Sequence, residues 1–556
     1  MKRLLPLLLA VVMTLGLVAC GGNSGGNTGG NTGGNTGNAG NTGTTTPPAN
    51  SGNDAGDTAG TSGDKSPDND FVIAMPNDAT HLDPHVSSNG YSNQITNAMY
   101  EGLLGFNEQT EVIPVLATDW SVSEDALVYT FKLREGVTFH DGETFNAEAV
   151  KAVWERGKDT SLSLNRNTKK WTDVEVLGEY EVAIHIESPD NTFINKLTQV
   201  RMVSPKAMAM DNASDYLAKN SAGTGPFKLS ERVDGGYTKM VPYENYWQDG
   251  PTVDSLTFEV VPEDASRMAK LQTGEADLIY PVPVTDIERL QSESPNIIVD
   301  VRDTTIFRYV TLNTEWALPD GRKPFADKRV RQALNYAFDS EAYAKIVFNG
   351  YAKEPTSCFA DTIMYHSPNT PYKADLEKAK SLMKEAGFED GFDVEIIVDN
   401  TTIEQKGATF VMQQLSQIGV NVKLLANEST VNAEATSAPL ETTTVQMWYV
   451  NWSSGSFEAD GSMRSILHSD KMPPDGYNTA FWKNEEFDKL LDDALKMTDT
   501  KEIADTYAKA QAVVWEECPW MFLGNDNAIV AYQPYCTGLQ FKPGDEVVVT
   551  TIGLDH

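Results

Sequence analysis

The chain has 556 residues, 40% hydrophobic and 9% aromatic, with 79 acidic against 44 basic side chains and a formal net charge of −35. That length exceeds one ordinary core, so two or three lobes are expected. The charge argues against a nucleic-acid partner and against lying on an anionic membrane face, since both need clustered Lys and Arg; such an acidic surface also favours a soluble monomer.

In chain order, Met1-Lys2-Arg3 gives a positive start, and the apolar run 4–18 leads into Leu17-Val18-Ala19-Cys20. A charged start, a short apolar stretch and small residues at a cleavage point predict a secretory signal over 1–19. At about 1.5 Å per residue the run is too short to cross roughly 30 Å of hydrocarbon. The Gly, Asn, Thr and Ser tract that follows, over 20–70, has hardly any side chain able to pack and reads as a disordered linker.

Phe71-Val-Ile-Ala-Met75 predicts a strand, 95–104 a helix stopped by Gly105, and 127–133 a strand by alternation. Asn146 caps an amphipathic helix beginning at Ala147, and 174–186 reads as two strands around Gly178. Gly223-Thr-Gly-Pro-Phe227 is a corner entering a strand; 256–261 and 305–312 are strands, and 264–274 and 327–339 helices. Helix 375–386, strand 392–398, helix 405–418 and strand 420–425 follow, with a β-α-β unit over 392–425; helices 485–497 and 502–517 come last. Strands and helices alternate throughout, an α/β pattern.

No catalytic or metal motif emerges. Pro84 opposes a helical His81–His85 pair, His140-Asp141 sits in a turn without a nucleophile at motif spacing, and the Gly223 corner lacks the Lys-Ser/Thr of a phosphate loop. Neither an enzyme nor a cofactor is expected. With Cys20 set aside, Cys358, Cys518 and Cys536 are left, and their spacing does not choose between one disulfide and three thiols.

Longer motifs carry a resemblance. Tyr100-Glu-Gly-Leu-Leu-Gly, Pro114 to Trp120, Tyr129 to Val137 and Phe139 to Phe145 occur in the order seen in the family 5 extracellular solute-binding proteins of peptide, nickel and glutathione ABC importers. Gly223 to Phe227, Asn245-Tyr-Trp, Arg267 to Asp277 and Pro324 to Phe338 continue the match, which runs from about Phe71 to His556. Arg308 to Asn313, Met447 to Trp452, Glu458-Ala-Asp460 and Pro473 to Phe481 resemble the glutathione-binding branch. In the dipeptide and oligopeptide branches an Asp three residues after the matching Trp clamps the peptide amine; Gly455 stands there, which favours the glutathione branch. Cys20 likewise resembles the lipidated cysteine of a bacterial lipobox.

The resemblance implies a two-lobed, type II periplasmic-binding-protein-like α/β fold of the large peptide-binding cluster. Lobe I would span 71–307 with an extra subdomain at about 107–221, lobe II 308–520, and 521–556 would return to lobe I. The expected function is capture of a short peptide-like solute, glutathione foremost, for an ABC permease and its ATPase subunits, by a lipoprotein on the outer face of a Gram-positive cell membrane. Nickel or metallophore capture is the alternative within the family, and a secreted peptide hydrolase the alternative outside it.

Solute contacts are expected from residue type and place. Arg308 offers a bidentate cation for a carboxylate, or a structural ion pair. Tyr449, Asn451 and Trp452 offer aromatic and amide contacts, although alternation puts Trp452 on the face opposite Tyr449 and Asn451. Asp460 could hold an amine or cap a helix, and Tyr477 and Asn478 could close the cleft. Ser87, Ser88, Asn89 and Tyr91 fill the loop after the first strand, where open α/β sheets bind ligands.

Overall fold

The computed structural model describes residues 69–87, 89–542, 544 and 546–555. The signal, Cys20, nearly all of the linker and Ser88 lie outside the described residues.

One eleven-stranded sheet organises the chain. Its order runs Val420–Asn427, Phe392–Asp399, Met447–Trp452, Ile298–Leu312, Trp520–Tyr532, Leu278–Ile279, Asp70–Met75, Ser255–Val260, Tyr237–Pro242 and Phe227–Val233, with Ala352–Lys353 paired on the side to Trp520–Tyr532. One end is thus built from the middle of the chain and the other from its first part. The two long strands at the centre pair antiparallel from Ile298↔Tyr532 to Thr311↔Trp520 and belong to both ends.

The expected β-α-β unit is present. Phe392–Asp399 and Val420–Asn427 pair in parallel, Phe392 opposite Val420, with helix Thr402–Ser416 between them. The Thr401 hydroxyl caps that helix by accepting from the Glu404 amide. A side chain at Gly391, where φ is +73°, would lie 1.8 Å from the Gly419 carbonyl oxygen, so only glycine fits this close approach.

Three cores carry most of the burial. Val310, Leu334, Phe410, Ile396 and Leu523 anchor the middle segment; Phe71, Tyr100, Leu256, Phe258 and Val530 anchor the other end of the sheet. A separate core forms around Phe131, Phe139, Val150, Trp154 and Ile184. It joins helix Ala147–Gly157, capped by Asn146, to a four-stranded sheet ordered Ala117–Val122, Val128–Leu133, Glu181–Ile186, Trp171–Gly178. Cys358 and Cys518 are buried thiols, and burial pushes both up to about 12, which leaves them chemically quiet.

The helix expected over 95–104 is displaced. It runs Gly90–Thr96, because Asn89 caps it early and Asn97 ends it. The following residues turn instead, and the Met99 carbonyl packs so closely on the Gly223 corner that a Cβ at Gly223 would lie 2.1 Å from it. Periodicity alone does not register such a contact between distant segments.

Candidate ligand-binding cleft

A cleft of about 1430 Å³ lies where the lobes face one another. Its floor comes from an irregularity in the long strand pair. The register shifts between Asp303 and Phe307, and Thr305 and Ile306 reach the cleft. Side chains replace the missing ladder bonds: the Thr304 hydroxyl donates to the Asp526 carbonyl at 2.9 Å and accepts from the Ile306 amide at 3.0 Å, while Thr362 donates to the Thr304 carbonyl at 2.7 Å. The Thr305 hydroxyl meets that of Ser453 at 2.5 Å.

One wall comes from helix Gly90–Thr96, from residues 166–201 and from the C-terminal segment 540–551. Gln94 fixes two of these together, donating to the Val547 carbonyl and accepting from its amide, both at 2.9 Å. The opposite wall is the end of strand Met447–Trp452, the loop 453–457 and Tyr477. The walls also touch: Phe106 and Phe457 have ring centroids 4.9 Å apart, Asn195 donates to the Ser456 carbonyl at 3.0 Å, and Asn191 donates to that of Ala494 at 2.8 Å. This is a closed arrangement. Gly455 contributes to it, since a Cβ there would lie 2.9 Å from Gln199 Oε1 across the cleft.

The residues singled out in the sequence divide into two sets. Asn89, Tyr91, Asn451, Trp452 and Tyr477 line the cleft. Trp452 and Tyr477 face each other at 5.8 Å and 44°, and Trp452 Nε1 is buried with no hydrogen-bond partner among the described residues. Asn451 and Trp452 reach the cleft together because they end the strand, where strict alternation no longer separates them.

The other set serves the frame. Arg308 is 5% exposed and holds Glu404 at 2.6 and 2.7 Å and Asp526 at 2.8 and 2.9 Å, so its structural ion pair is the arrangement the structure displays. Tyr449 is buried against Arg308 and shares a hydroxyl contact with Tyr343. Asp460 sits in the first turn of helix Ala459–Leu467 and is bound by Arg464 at 2.8 Å. Asn478 donates to the carbonyls of Leu467, His468 and Trp482. Ser87 bonds to Thr80 and Ser92 rather than facing the cleft.

Sequence reasoning missed the wall carried by 166–201. There Asp190 accepts from Lys196 at 3.0 Å, Lys170 at 3.4 Å and the Thr192 hydroxyl at 2.5 Å. Burial pushes the Asp190 carboxyl up, but Lys196, Thr192 and Lys170 outweigh it and hold the group down at about 2. A folded pKa below the unfolded value stabilises the protein above about pH 4 and loses that stabilisation as pH falls towards 2. Asp190→Asn is expected to remove about 2 kcal/mol of this acid-sensitive stability. Urea melts between pH 2 and pH 6 would show it, and an unchanged acid limb would contradict it.

The fold and the cleft define a two-lobed solute-binding protein. Residues 111–474 match the model of bacterial extracellular solute-binding proteins, family 5, and the chain belongs to that family. It is 33% identical over 479 residues to the glutathione-binding protein GsiB of Pectobacterium atrosepticum, covering 85% of this chain and 92% of that protein. Among solved structures it is similar to the periplasmic binding protein DppA from Helicobacter pylori in complex with the peptide STSA, with TM-score 0.73 and 27% identity over 88% of this chain and 98% of that one. It also resembles the substrate-binding protein CtaP from Listeria monocytogenes, with TM-score 0.79 and 23% identity over 88% and 100%.

Proposed function

We propose that this chain captures a short peptide-like solute, with glutathione as the first candidate, and delivers it to an ABC permease. The enclosed cleft carries this reading, with its aromatic pair Trp452–Tyr477 opposite hydroxyl and amide groups. Such a cleft buries a small zwitterion while giving its polar groups fixed partners. The relatives named glutathione-binding support the choice of solute. Asn89, Tyr91, Asn451, Trp452 and Tyr477 are the contacts assigned to it. In this reading the lobes fall at about 71–307 with 521–556, and 308–520, and solute binding holds them together. Cys20 carries the lipid that keeps the protein at the membrane while it collects solute.

Titration calorimetry of the purified chain against glutathione, di- to pentapeptides and nickel complexes tests the solute. Glutathione or a short peptide is expected to bind at micromolar concentration or below. Heat from the nickel complexes alone would replace the peptide reading by metallophore capture, and silence from every peptide would end it.

A further inference from the structure

The ten charged side chains that line the cleft include six basic ones, although acidic residues outnumber basic ones 79 to 44 in the whole chain. Eight of the ten come from the wall segments 166–201 and 540–551 and the other two are Glu101 and Glu108; the facing wall at 451–477 contributes only uncharged groups. The cleft is therefore a positive spot in a negative protein, with its charge on one side.

Three of these six cations already have an anion. Lys170 and Lys196 share Asp190, and Lys542 holds Glu546 at 2.8 Å. Arg201 differs from these three lysines: among the described residues it makes no salt bridge, and its guanidinium is held in place by neutral acceptors. Its backbone forms a bridge to Gly102, and its carbonyl meets His85 Nε2 at 2.8 Å. Its Nε donates to Asn97 Oδ1 at 2.9 Å and one terminal nitrogen donates to the Thr198 carbonyl. Nη2 has no hydrogen-bond partner among the described residues, in a side chain that lines the cleft. The two nearby carboxylates are engaged elsewhere, Glu546 with Lys542 and Glu101 with Tyr246, Trp247 and Thr224. The other buried arginines show the contrast, for Arg156 holds Asp83, Arg308 holds Glu404 and Asp526, and Arg464 holds Asp460. A half-buried guanidinium, locked at two nitrogens and open at the third, is set for an anion that arrives with the solute.

We propose that Arg201 receives a carboxylate of the solute and makes the cleft selective for anionic peptide-like solutes. The proposal rests on the peptide-capture reading for the kind of solute and on Arg201 alone for its charge.

The test is a cycle of two proteins and two solutes, read by calorimetry on the full chain: wild type and Arg201→Gln, each with glutathione and with its diethyl ester, which lacks both carboxylates. Arg201→Gln is expected to weaken glutathione about ten- to hundredfold, the range of a hydrogen bond to a charged group, while changing the ester less than about twofold. Arg201→Lys should fall between, because it keeps the charge and loses the fork. Equal losses for both solutes would mean that Arg201 only props the wall, and no loss for either would remove it from the site; both overturn the proposal. Succinate and citrate separate this result from the parent reading. If wild type binds them in an Arg201-dependent way and binds no peptide, peptide capture falls and the anion assignment stands. If wild type binds none of these solutes, both fall.

Discussion

Arg308→Met is expected to cost about 3–5 kcal/mol of folding stability, the range for removing one partner from a buried ion pair. Arg308 lies between Glu404 of helix Thr402–Ser416 and Asp526 of the returning long strand, so its loss leaves two buried carboxylates facing one another. Burial pushes the Asp526 carboxyl up; Arg308 opposes this, Glu404 adds to it, and the group rests at about 6. An acid whose folded pKa lies above its unfolded value binds more protons in the folded state, so its contribution to stability falls as pH rises from about 4 to about 6. Two consequences can be measured by urea denaturation. The Arg308→Met penalty should be smaller at pH 5 than at pH 8, because Asp526 can take up a proton. Asp526→Asn should leave Arg308 and Glu404 as a one-to-one pair and flatten the stability profile between pH 4 and pH 6. A penalty below about 1 kcal/mol at pH 8 would show that the cluster is not what holds this region.

Trp452→Ala is expected to weaken glutathione binding by about 2 kcal/mol, roughly thirtyfold. Trp452 ends its strand, and its ring lies between the cleft, where it meets Tyr477, and the core around Phe307 and Phe522. Among the described residues its Nε1 is buried without a partner, an arrangement that costs about 1–3 kcal/mol until a solute acceptor reaches it. Trp452→Phe keeps a ring and removes the N–H, so an intermediate loss is expected. Calorimetry on the three proteins decides the matter; equal affinities would place the solute elsewhere in the cleft.

Much of the architecture is legible in the sequence. Short periodic segments with clear stops, such as Phe392–Asp399, Thr402–Ser416 and Val420–Asn427, specify their own elements, and their order specifies the β-α-β unit. The lining of the candidate cleft was legible where side-chain type and strand position agree, as at Trp452. It was not legible where a neighbour far away in sequence decides the role. An arginine in a cleft-bound strand reads the same whether its carboxylate belongs to a solute or to Glu404 and Asp526, which lie 96 and 218 residues further along the chain. Asn478 reads as a polar loop residue until three carbonyls close on it. Arg201 gave no signal, since its value lies in the partners it lacks.

Where Ile298–Leu312 departs from its pairing with Trp520–Tyr532 over 304–306, a bend surrenders few ladder bonds that a regular pair would hold. In the proposed capture of solute, this is the stretch about which the lobes would swing with neither core opened. Measured affinity is the intrinsic affinity scaled by the fraction of molecules in the binding-competent arrangement. Evolution can therefore retune how tightly the protein holds its solute by altering Thr304 or Thr362, which set the shape of that bend, and leave every wall residue as it is.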